Sequence, residues 1–384
     1  MYRLVLVFAF FVQTFAYAQD RPILVGVTVA KTGQLSDHGA NYGRGLALWL
    51  EEVNARGGML GRRVELRIRD DLSQSIGVEK LYNALVDEDR VDLFLGPLGS
   101  AATLPAMAVA EQRRRVLVNA TGIDPAVLRR GNRYSFQVPA GTADYGAHVW
   151  TVVRLAGAKR TLVVDKDETG AAARLREDAE KLGIAHVRAE LINAVSYAAL
   201  VDFARANGVD AMIVVGPPRE AAEAVKAMKQ GAWTPRIFVG LAAMHPEFTR
   251  MVGQDAEFVI GASPYAAAQR TPGNAEFVKA YRAMHKQIPD FYAACGYAAG
   301  RVLEAGLREA GALDQEKLRE ALMRVRVATP LGTYEVGKDG AQAGVRPPLL
   351  QFQQGRRQVV WPEASSTAKL VLPFPEWSSR TLMK

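Results

Sequence analysis

The chain has 384 residues, 49% of them hydrophobic and 23% charged, which is too long for one ordinary domain and ample for two buried cores. Lys and Arg number 48 against 40 Asp and Glu, a formal charge of +8, but the bases are dispersed and the densest cluster is Arg113-Arg114-Arg115. Without a basic stripe interleaved with aromatics nucleic acid is excluded as a partner, and a single cysteine, Cys295, excludes an intrachain disulfide.

Residues 1–18 stand apart. Arg3 precedes an unbroken apolar run from Leu4 to Val12, and Ala16-Tyr17-Ala18 supplies a small-x-small site before Gln19. This pattern predicts a secretory signal peptide cleaved near Ala18/Gln19, too short to span a bilayer. No cysteine follows the run, so lipid attachment is not expected.

Ile23 to Val29 is a β-branched run that predicts a buried strand. From Gly39 to Asn54, Tyr42, Leu46, Trp49, Leu50 and Val53 fall on one helical face, closed by Gly57-Gly58. Val64 to Arg69 alternates like an edge strand, and Ser73 to Val86 predicts a helix with Ile76, Leu81, Leu85 and Val86 inward. Val91 to Leu95 reads as another buried strand, followed by the turn Gly96-Pro97-Leu98-Gly99 and a helix opening at Ser100. Val116 to Asn119 is the next strand, ending at Thr121-Gly122. This βαβαβαβ order predicts a doubly wound parallel sheet, whose ligands sit beyond the carboxyl ends of the strands. A hydroxyl such as Ser100 either caps its helix or lends its donor to a guest.

After Tyr134 to Val138 the pattern begins again. Helices are expected over 142–155, 171–182, 197–206 and 220–230, alternating with strands at 161–164, 186–192, 211–215, 236–239 and 258–260. Three helical segments (274–285, 291–310 and 313–324) precede strands near 332–336, 349–353 and 358–361, and a Pro- and Ser-containing tail. Cys295 falls in an apolar helix and reads as a small buried hydrophobe. The fold class is therefore α/β, with two doubly wound Rossmann-like lobes joined by a hinge of several crossings. Expected boundaries are 19–138 plus 264–330 for the first lobe, 139–263 plus 331–362 for the second, and a tail over 363–384. A cleft between two such lobes suits hinge closure.

Enzyme signatures are missing. Lys31-Thr32-Gly33 and Ser366-Thr367-Ala368-Lys369 echo two penicillin-binding motifs in reversed order, and Gly57 to Gly61 follows a helix where a dinucleotide fingerprint must follow a strand. No G-x-S-x-G or H-E-x-x-H occurs, and His38, His148, His186, His245 and His285 lack ligand-like spacing. Neither a catalytic centre nor a metal or other cofactor is expected.

Several short runs carry a family resemblance. They are Gly33-Gln34-Leu35 with Gly39 and Gly43, Asn54-Ala55-Arg56-Gly57-Gly58-Met59-Leu60-Gly61, and the pair Asp70-Asp71. Gly96-Pro97-Leu98-Gly99-Ser100 through Pro105, and Thr329-Pro330-Leu331-Gly332, continue the series. In this order they make the chain resemble the type I periplasmic solute-binding proteins of ABC transporters, specifically the leucine/isoleucine/valine-binding family. The resemblance covers nearly the whole mature chain. It implies a periplasmic, monomeric receptor for a small-molecule ligand, with ABC permease membrane subunits as partners. A ligand-sensing or accessory module of the same fold is the alternative it leaves open.

The resemblance implies that a ligand carboxylate sits at Ser100 with Ala101 and at Thr121 with Gly122. It places His38 where an aromatic lines the pocket, although an exposed histidine satisfied by water is as good a reading. In the second lobe the chain departs from amino-acid binders. Thr169 and Pro217-Pro218-Arg219 stand where they bring aromatics, and Gly240-Leu241-Ala242-Ala243 where they bring an acid for the ammonium. An ammonium against Leu241 and Ala242 would be desolvated without a counter-charge, at a cost of several kcal/mol. A small carboxylate or amide with an apolar body is therefore expected, and a free α-amino acid is not. Arg219 either pairs with an acid or is solvated, and Tyr265 either lines the cleft or packs between the lobes.

Overall fold

A computed structural model describes residues 21–128, 131–166, 170–184, 186–190 and 196–380. The expected signal peptide and Thr169 lie outside the described residues. The first lobe begins with β1 (Ile23–Val29), α1 (Ser36–Ala55), β2 (Val64–Asp70), α2 (Val78–Asp87) and β3 (Leu93–Leu95). It continues through α3 (Ser100–Arg113), β4 (Leu117–Asn119), the short α4 (Pro125–Leu128) and β5 (Ser135–Gln137). Its sheet is wholly parallel, in the order β2-β1-β3-β4-β5, with β2 at the edge as its alternation predicts. β1 is buried throughout, and its side chains alternate between faces. Val25 and Val27 join a core with Tyr42 and Trp49 of α1, whereas Leu24 joins Tyr82 and Leu85 of α2 on the other side.

The second lobe contains α5 (Val149–Leu155), β6 (Thr161–Asp165), α6 (Ala171–Lys181), β7 (His186–Glu190) and α7 (Tyr197–Ala206). It runs on through β8 (Ala211–Val215), α8 (Pro218–Gln230), β9 (Ile237–Gly240), α9 (Pro246–Val252) and β10 (Ile260–Ala262). The chain then returns to the first lobe for α10 (Asn274–His285), α11 (Phe291–Ala310), α12 (Gln315–Leu322) and the hairpin β11 (Val327–Thr329) to β12 (Gly332–Tyr334). It ends in the second lobe with β13 (Leu349–Gln353) and β14 (Arg356–Trp361). That sheet has the order β14-β13-β10-β9-β8-β6-β7; β13 alone runs against the others, antiparallel to both β10 and β14. Three crossings thus join two α/β lobes, after β5, after β10 and between β12 and β13.

Four expectations need correction. The second lobe does not resume at 331: Leu331, Tyr334 and Val345 are buried in the first-lobe core, and Gln342 Nε2 donates to Val138 O at 2.6 Å. The lobe changes only on the approach to β13. Ile76 does not face inward but is 90% exposed, because Gly77, at φ +95°, delays the start of α2 to Val78. The tail does more than lie on the surface: Phe374 is buried against Phe238, and Trp377 Nε1 donates to Trp233 O at 2.9 Å. The helix expected over 142–155 is a 3-10 turn (Thr142–Gly146) followed by α5.

That break leaves His148 ahead of α5 with its Nε2 buried and unpartnered. Burial, helped by Arg346, pushes its pKa down to about 4. The unfolded chain therefore takes up a proton near pH 6.5 that the folded chain refuses until about pH 4. Stability is unaffected above pH 6.5 and falls as the pH drops through that window. Relative to a His148→Asn variant, the native chain should lose about 2–3 kcal/mol more unfolding free energy between pH 7 and pH 4, measured by urea melts.

Candidate functional site

In a parallel sheet the strand ends and their following loops converge on one edge. At that edge of the second lobe the structure opens a hollow of about 690 Å³. Lys166 follows β6, Val215 to Pro217 end β8, Leu241 and Ala242 follow β9, and Ala262 to Pro264 end β10. Thr142 and Tyr145 come from the 3-10 turn after the first crossing, Met244 ends a second 3-10 turn after β9, and His245 and Pro246 open α9. Most of this wall is carbon. Among the described lining residues none is acidic and one, Lys166, carries a fixed positive charge.

Tyr145 faces the first lobe: burial first, and then the nearness of Cys295 and Tyr292 of α11, push its phenol well above the ordinary range. Two hydroxyls of the wall already have acceptors. Ser263 donates to Tyr265 O at 2.8 Å, and Thr142 to Ile123 O at 3.4 Å. His245 lies at the exposed rim, its Nδ1 accepting from Glu247 N at 3.3 Å. Cys295 is fully buried in α11, and burial drives its thiol far above the usual range, so it behaves as a small hydrophobe.

The first-lobe edge is built differently from expectation. Thr121 is 3% exposed; its hydroxyl accepts from Gly99 N at 2.7 Å and donates to Pro97 O at 2.8 Å. Gly122 N donates to Asn119 Oδ1 at 2.7 Å, and Gly122 O accepts from Asn119 Nδ2. The Thr121 hydroxyl and the Gly122 peptide thus lace the strand ends together. Ser100 Oγ accepts from Ile123 N and Asp124 N, each at 3.1 Å. Ile123 O in turn accepts from Thr142 N at 2.9 Å, so Ser100 reaches the rim of the hollow only through the Ile123 peptide. Thr121→Val should therefore lower stability by about 1–3 kcal/mol through two orphaned backbone groups. Calorimetric affinity for the bound solute should stay unchanged.

Of the remaining expected residues, Pro217, Leu241 and Ala242 line the hollow. Ala101 is exposed on α3, and His38 is exposed with its ring 4.4 Å from that of Tyr292. Arg219 is exposed on α8, outside the hollow and without an ion pair among the described residues. Tyr265 is not a cleft residue: it is 7% exposed in the first-lobe core, with its hydroxyl donating to Asn274 Oδ1 at 2.9 Å. Lys166, Tyr145 and Met244 were missed by sequence reasoning. Lys166 had a usable signal, since it directly follows a buried parallel strand; the other two depend on how the chain turns.

A profile of the periplasmic binding protein family matches residues 22–356. An amino acid binding protein of Pseudomonas aeruginosa is 27% identical over 83% of this chain and 87% of its own length. The leucine-, isoleucine-, valine-, threonine- and alanine-binding protein of the same organism is 24% identical over 80% and 84%. A solved ABC transporter solute-binding protein of R. palustris, in complex with benzoate, superposes with a TM-score of 0.61 at 17% identity, covering 92% of this chain and 97% of that one. These likenesses span both lobes and all three crossings. The two lobes, the strand-end hollow and the matched profile agree, and the chain belongs to the periplasmic binding protein family.

Proposed function

We propose that this chain is an exported receptor that captures a small carboxylate or amide with an apolar body, and not a free α-amino acid, and presents it to ABC permease subunits. Export rests on the signal-peptide pattern of residues 1–18. No helix among the described residues is long and apolar enough to cross a membrane. The observation that carries the ligand class is the wall after β9. Leu241 and Ala242 stand in the hollow where an α-amino acid needs a counter-charge for its ammonium, and no described lining residue is acidic. Burying the ammonium there would cost several kcal/mol. The benzoate complex of the R. palustris relative makes an apolar acid a reasonable occupant of this fold.

Capture between lobes converts binding energy into hinge closure, and the closed form is what a permease can distinguish. Thermal-shift screening against aromatic acids, branched keto acids, their amides and L-amino acids tests the reading. An acid or amide at a hundred times its Kd should raise Tm by about 5–10 °C. A comparable rise with L-leucine would overturn the ligand class, and a flat response to the whole panel would overturn the receptor reading.

A further inference from the structure

Tyr145 carries the one benzene ring among the described residues of the hollow's wall, and residues 167–169, which follow Lys166, contain no aromatic. Its neighbours in sequence fasten the 3-10 turn to α6. Asp144 pairs with Arg174 of α6 at 3.3 Å, and a Cβ on Gly146 would stand 2.8 Å from Leu175 Cδ2, so the turn lies directly on that helix. The start of the turn is tied to the first lobe, where Thr142 N donates to Ile123 O at 2.9 Å. Between these anchors the Tyr145 ring is half-buried against the second-lobe core. A ring held in place beforehand loses little freedom when a guest packs on it. Pro217, Pro246 and Pro264 add stiff apolar rings to the same wall, and Met244 adds a thioether, a group that packs well against aromatic edges.

We propose that Tyr145 is the specificity-determining residue of the hollow, selecting a ligand whose apolar body is a planar aromatic ring over one whose body is saturated or branched. The proposal rests on the receptor reading above and narrows its apolar body to an arene. Two aromatic rings in offset or edge-to-face contact attract through their quadrupoles, beyond what the buried area supplies. A saturated ring has no such quadrupole and is thicker, so against the same phenol it gains the area contribution alone. Burial keeps the Tyr145 phenol protonated, so it sets no negative charge beside an anionic end of the ligand. Packing against Cys295 and Tyr292 of α11 is the other use this side chain could have, and it would make no distinction between flat and puckered guests.

Calorimetry on the full mature chain tests this with two pairs of probes matched at the polar end, benzoate with cyclohexanecarboxylate and benzamide with cyclohexanecarboxamide, and with 4-methyl-2-oxopentanoate. In whichever pair binds, the native chain should prefer the aromatic member by about tenfold. Tyr145→Leu should bring that ratio to within about threefold, and Tyr145→Phe should keep it. A merely structural role would lower the melting temperature and weaken both members alike, leaving the ratio as it was. The native ratio needs no variant, so the test survives if Tyr145→Leu folds poorly. Native affinities within about threefold across a pair, or binding of the keto acid alone, would overturn the assignment and leave the receptor reading intact. An unchanged ratio in Tyr145→Leu, or its loss in Tyr145→Phe, would overturn it equally. If none of these probes binds the native chain, the receptor reading fails and the assignment falls with it.

Discussion

Ala242→Trp is expected to abolish solute capture, with an affinity loss of at least about 100-fold for whichever probe stabilises the native chain. Ala242 sits half-buried in the 3-10 turn Leu241–Met244 and faces the hollow, so an indole there occupies the space a ligand body needs. The turn itself should persist, because its buried members Leu241, Ala243 and Met244 are untouched. The ligand-free Tm should therefore move by no more than a few degrees. Calorimetric titration beside a thermal melt separates the two effects. Retained affinity within about threefold would mean that solute binds elsewhere on the molecule.

Gly45→Ala should cost about 3 kcal/mol, the upper range for overpacking, and lower Tm by roughly 6–12 °C. α1 and α11 cross so closely that a Cβ on Gly45 would stand 2.0 Å from Ala293 O, a backbone atom that no rotamer change can move aside. The contact is reciprocal, since a Cβ on Gly296 would meet Tyr42 O at 2.5 Å. Tyr42 and Trp49, both fully buried, pack in this seam, so parting the helices would open the larger core of the first lobe. A melt of Gly45→Ala within 2 °C of native would show that the two helices can slide apart at little cost.

The repeated α/β order, and hence two doubly wound lobes, could be read from strand-by-strand apolar runs. Helix limits were legible where punctuation is strong: α11 begins after Asp290, whose carboxylate accepts from Ala293 N, and stops at Gly311 in the left-handed region. They were illegible where one residue overrides a periodic pattern, as Gly77 does for Ile76. The lobe boundary near 331 failed for another reason. Tyr334 and Val345 are apolar on either side of a turn, and sequence cannot say which of two cores will bury them. At the site, Leu241, Ala242 and Pro217 were found because the strand-end rule depends on chain order alone. The engagement of the Thr121 hydroxyl was illegible because its partners, Gly99 N and Pro97 O, are about twenty residues away in sequence and adjacent only once the strands align.

The threefold passage of the chain between the sheets leaves neither half contiguous. On one side β1 to β5 are covered by α1 alone until α10 to α12 arrive, and the parallel strands of the other half await β13 and β14 near the end. A ribosome or an export channel releasing this polypeptide from its amino end would thus deliver about nine-tenths of it before the larger core of the first lobe, which includes Val345, could be complete. Such delayed ripening keeps a threadable, uncompacted strand available during translocation, and it makes excision of a single autonomous half impossible by simple truncation.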